Sequence, residues 1–70
     1  MNDKKLKRLE VYYNVFDLST LQKSKVYYES EIEGILDSHN VLDKENILRN
    51  MTSRLTAIQS VIKTKLNSLR

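Results

Sequence analysis

Proline is absent from this chain and glycine occurs once, at Gly34. The two residues that interrupt helices most strongly hardly punctuate the sequence, so helix is the default expectation along it. Strand signals are missing as well. No run of five or more residues alternates β-branched and polar positions, whereas apolar spacings of three and four recur throughout. The pattern predicts an all-α fold, and 70 residues are enough for one domain and no more.

The clearest helix is the last. Ile47, Leu48, Met51, Leu55, Ile58, Val61, Ile62, Leu66 and Leu69 fall within an arc of about 140° at the helical period, which predicts one buried stripe over residues 44–69. Asp43 stands where it can cap the free backbone amides, and Leu42 and Ile47 occupy hydrophobic-staple positions. Upstream, Leu18, Leu21, Tyr28, Ile32, Ile35 and Leu36 make a second stripe of about 100°, predicting a helix over 20–37 with Ser19 and Gln22 in capping-box positions. Between them, Asp37, Ser38, His39 and Asn40 are turn formers. A short loop makes consecutive helices antiparallel neighbours, so the expected architecture is a helical hairpin bent near residues 38–42.

The first segment, residues 3–17, distributes Leu6, Leu9, Val11, Tyr12, Tyr13, Val15 and Phe16 over more than half of a helix circumference. One partner helix cannot cover that much. Asp17-Leu18-Ser19 favours a break or kink before the second helix, although Asp and Ser are also tolerated inside one long helix. The two hairpin stripes match one another, and the first segment is then left over. Lys4 to Arg8 should meet Lys63, Lys65 and Arg70 at the open end of the hairpin, with Glu29, Glu31, Glu33, Asp37, Asp43 and Glu45 gathered toward the bend.

The sequence offers little for chemistry. It has no cysteine, which removes disulfides, thiolate nucleophiles and zinc ribbons and leaves a small core without its usual staple. The one histidine, His39, falls in the expected bend and reads as a loop residue. At spacings of two, successive members of Glu29, Glu31 and Glu33 diverge by about 200° on a helix and read as a solvated surface rather than a paired-carboxylate site. A lone glycine excludes phosphate-cradling loops. Gly34 itself reads as a close helix-packing point or a tolerated fault. No enzymatic activity, metal or cofactor is expected.

A hydrophobic content of 40% with 30% charged residues argues for a folded chain rather than a disordered one. No apolar run approaches the ~18 residues that a membrane helix requires. The basic start is not followed by a secretory apolar segment, and the expectation is a cytoplasmic protein without membrane insertion. A net charge of +3 points weakly toward acidic surfaces. Lys4, Lys5, Lys7 and Arg8 form a basic cluster, so a small nucleic-acid-binding or phage or plasmid regulatory protein is the alternative class. Their directions are spread around the helix rather than aligned, which makes nucleic acid the lesser expectation.

What remains is a surplus of large apolar residues, including the pairs Tyr12-Tyr13 and Tyr27-Tyr28. Adjacent helical residues diverge by about 100°, so if Tyr13 and Tyr28 face the core, Tyr12 and Tyr27 point elsewhere. Tyrosine is favoured at protein interfaces for its rigid apolar body and polar tip. Val11, Tyr12, Val15, Phe16 and Tyr27 are therefore the candidate protein-interface residues. The chain alone should be marginally stable or a homo-oligomer.

With its small size, its lack of cysteine and the C-terminal stretch Leu55-Thr56-Ala57-Ile58-Gln59-Ser60-Val61-Ile62, the chain resembles the small helical-hairpin co-chaperones of the type III secretion needle subunit. The resemblance covers mainly residues 39–70 and is architectural elsewhere. It implies a cytoplasmic adaptor that binds a helical-repeat chaperone and helps keep a needle subunit unpolymerised. Needle subunits are hairpins of similar size but usually carry a proline-containing turn, which this chain lacks. That departure favours the chaperone side.

Overall fold

The computed structural model describes residues 3–38 and 42–69. It contains three helices, α1 (Asp3–Asn14), α2 (Leu18–Asp37) and α3 (Lys44–Ser68), and no strand among the described residues. The chain does break ahead of the second helix. The N–H of Phe16 closes a turn on the Tyr13 carbonyl at 3.1 Å, and Asp17 adopts an extended backbone (φ −75°, ψ 166°) from which its side chain accepts the N–H of Thr20. Ser19 and Gln22 thus lie inside α2 and form no capping box. Asp17 caps instead, because its short carboxylate reaches the third free amide of the helix and its charge suits the positive end of the helix dipole.

The expected start of α3 needs a similar correction. Asp43 sits in the left-handed region (φ 59°, ψ 35°) and makes no side-chain bond to the backbone amides. That conformation turns its carboxylate toward the Asn46 side chain, which donates to it at 2.8 Å, while the Asp43 carbonyl accepts the N–H of Ile47. Leu42 is 90% exposed, so it makes no staple with Ile47. The bend is fastened by Lys44, whose ammonium donates to the carbonyls of Leu36 and Ser38 at 3.2 and 3.0 Å. Positive charge there meets the unpaired carbonyl end of α2. The rest of the expected bend, including His39, lies outside the described residues, as does Arg70.

Lys44 beside Leu36 and Arg54 beside Tyr28 show α3 returning antiparallel along α2, the expected hairpin. The first segment is not left over. It folds back at residues 15–17 and runs parallel to α3, with Lys5 bonded to Asn50 and Glu10 accepting from Ser60. With 25 residues, α3 is about 37 Å long at the helical rise and has room on its flanks for both neighbours. It packs on α1 and on α2, whose backbones approach one another far less closely. The basic stretch Lys4 to Arg8 consequently lies beside the first half of α3 and not with Lys63 and Lys65 at the open end. Charge is not separated along the axis in the expected way.

The core gathers where all three helices contribute. Tyr13, Leu21, Ala57, Ile58 and Val61 are buried, and Leu6, Leu9, Phe16, Tyr28 and Ile62 pack against them. Leu36, Leu66 and Leu69, expected in the buried stripes, are exposed. Gly34 has nothing within 4 Å of an added Cβ, so it is not a close-packing point. No described helix is long and apolar enough to cross a membrane.

Candidate functional site

Because Leu6, Leu9, Tyr13 and Phe16 turn α1 toward the core, the helical period points Val11 and Val15 away from it. Val11 is 72% exposed, Val15 79% and Tyr12 56%. Phe16 differs from the other candidates, since it is half-buried against the core and supports the surface more than it presents one. Tyr12 stands between the two environments. Its ring meets Tyr13 edge-on at 5.0 Å and Phe16 at 5.4 Å, a geometry in which ring edges and faces attract. The exposed phenol is thereby held by two rings that belong to the core.

Tyr27 lies on α2, on a separate helix, and is 58% exposed. Its ring packs edge-on to Tyr28 at 5.3 Å. Tyr28 in turn faces Tyr13, and Arg54 of α3 lies against both. Burial pushes the Tyr13 phenol above its ordinary pKa, the neighbouring Tyr28 adds to this, and Arg54 opposes it. Contact with Tyr13 and then Tyr28 holds the Arg54 guanidinium more firmly in its charged form. The two tyrosine pairs are thus joined through their inward members, while Tyr12 and Tyr27 face solvent on different helices.

Two further surfaces were not among the sequence candidates. One is an open groove between α1 and the first half of α3, lined by Lys5, Leu6, Glu45, Leu48, Arg49, Thr52 and Ser53. It exists because α1 runs parallel to α3, a direction no periodicity encodes. The other is the outer side of α2, where Val26 is 63% exposed beside the exposed Glu29 and Glu33. Val26 did not belong to the α2 core stripe, and its exclusion was the available signal. No group of three or more metal-ligating side chains comes together among the described residues. Comparison with protein-family models, with curated proteins and with solved structures finds no match.

Proposed function

We propose that this chain is a protein-binding adaptor that presents the outer side of α1 to a partner protein, with binding rather than catalysis as its activity. The observation that carries the reading is the fixed exposure of Tyr12, more than half open to solvent yet held edge-on by Tyr13 and Phe16. A rigid aromatic ring loses little freedom on docking, which is why such rings anchor interfaces. Val11 and Val15 widen the apolar area around it, and Tyr27 is a secondary contact on α2.

The specific form we propose is the one implied by the resemblance: a cytoplasmic co-chaperone that holds a helical-repeat chaperone and helps keep a type III secretion needle subunit unpolymerised. Its support is the size, the helical hairpin and the C-terminal helix. The test is co-expression with such a chaperone and needle subunit, followed by co-purification. The wild-type chain should be retained, and Tyr12→Asp with Val15→Asp should abolish retention with helical circular dichroism nearly intact. Unfolding of the double variant would make these residues core and sink the reading. Raising the salt concentration should hardly weaken the complex, whereas a nucleic-acid complex would lose affinity steeply.

A further inference from the structure

The outer sides of α1 and α2 complement one another, yet within one chain they cannot meet, because both helices turn their inner sides, Tyr13 and Tyr28 among them, to the core they share with α3. On α1, the exposed positions Lys4, Arg8 and Val11 recur at spacings of four and three, and Val15 continues the series just past the helix. On α2, Gln22, Val26, Glu29, Glu33 and Leu36 recur at the same spacings and are all exposed. Alternating spacings of three and four form the seam by which helices pair side by side. The first seam is basic and then apolar. The second carries Val26 followed by two glutamates. Laid antiparallel, they match position by position: Val15 with Gln22, Val11 with Val26, Arg8 with Glu29 and Lys4 with Glu33.

We propose that a second copy of this chain occupies these faces, its α2 seam docked antiparallel on α1 with Arg8 facing Glu29 and Val11 facing Val26. A two-fold axis along the helices repeats the contact, setting α2 of the first copy on α1 of the second, and closes the assembly as a dimer. The surface area agrees. A compact monomer of 8.2 kDa exposes about 4,500 Å², whereas this chain exposes 5541 Å². The excess, about 1,000 Å², is at the upper end of the ~600–1,000 Å² per partner that a stable interface covers. Glu29 already pairs with Lys25 at 3.7 Å, but that pair is exposed and of a kind that holds a side chain weakly. The proposal does not rest on the adaptor reading. A heterologous partner that takes Val11 and Val15 has to displace the second copy.

Sedimentation equilibrium on the full chain tests this. The wild type should sediment as a dimer, and Arg8→Glu or Glu29→Arg alone should each weaken self-association ~10-fold by setting like charges together at both copies of the contact. Arg8→Glu combined with Glu29→Arg in one chain should regain wild-type affinity. Val26→Lys, at another exposed position of the seam, should also give monomer with unchanged helical circular dichroism. A wild type that stays monomeric at millimolar concentration overturns the proposal, as does a double charge reversal no tighter than the single ones. Rescue of Arg8→Glu by Glu33→Arg instead of Glu29→Arg would mean parallel pairing and would overturn the antiparallel register. None of these charge variants touches Tyr12, so loss of the dimer and loss of a heterologous complex are read separately.

Discussion

The carboxylate of Asp17 accepts the backbone N–H of Thr20 at 2.8 Å, and the bonds from Thr20 hold its pKa below the usual aspartate range, with Lys23 and Lys65 adding smaller contributions. A depressed pKa in the folded state means that the unfolded chain takes up the proton first as pH falls. The stabilisation is therefore complete above the ordinary aspartate pKa of about 4 and is lost as pH drops from there through the folded value. Asp17→Asn should keep most of the neutral-pH stability, since Asn is also a good cap, and should flatten this acid limb of the thermal midpoint. Asp17→Ala should lower the midpoint at neutral pH as well. Equal acid limbs for wild type and Asp17→Asn would show that other carboxylates dominate. Ser19 and Gln22 fitted the capping pattern in the sequence as well as Asp17 did. What selected Asp17 is the turn at Val15 and Phe16, which sets the helix start one residue before Ser19.

The C-terminal end of α2 depends on a neighbouring helix for something its own residues lack. The last turn of α2 contains no basic residue, and the ammonium of Lys44 reaches back from α3 to its carbonyls. Lys44→Met keeps the aliphatic stem and removes the donor. It should cost about 1 kcal/mol, the scale of a partly exposed hydrogen bond to a charged group. Hydrogen exchange should speed up in the last turn of α2 and stay unchanged in α1, whose contacts with α3 lie elsewhere. Uniformly faster exchange in all three helices would mean that Lys44 acts on global stability rather than on that helix end. The pairing of α2 with α3 was legible because both apolar stripes follow the helical period. The docking of α1 was not, because its apolar residues cover so much of the circumference that periodicity cannot single out the packed side.

Across the molecule, the burial is shallow for the length of chain. Among the described residues only Leu21 and Ile58 are large side chains that are fully buried, and the Cα framework extends over 45 × 24 × 15 Å. So elongated a body leaves Val11, Tyr12, Val15, Val26 and Tyr27 in water, and any partner that covers them binds the folded state alone. By mass action the thermal midpoint should rise with protein concentration as the dimer forms. Differential scanning calorimetry over a hundredfold concentration range checks this. A concentration-independent midpoint above about 70 °C, beyond the usual mesophile range, would show that the three helices stabilise themselves without help.

Helix content, the antiparallel hairpin and the outward placement of Val11, Tyr12, Val15 and Tyr27 follow from the sequence, because each depends on a local rule: the scarcity of breakers, the 3.6-residue period, and the divergence of adjacent side chains. The direction of α1 followed only from the tertiary structure. A turn of three residues at Val15, Phe16 and Asp17 reverses the chain, and whether such a turn forms is decided by what the reversed helix can bury. Leu6, Leu9 and Tyr13 find that burial on the flank of α3 left open by α2. The same reversal carried the basic stretch Lys4 to Arg8 away from Lys63 and Lys65, since the position of a charge in space follows the path of the chain and not its spacing in sequence.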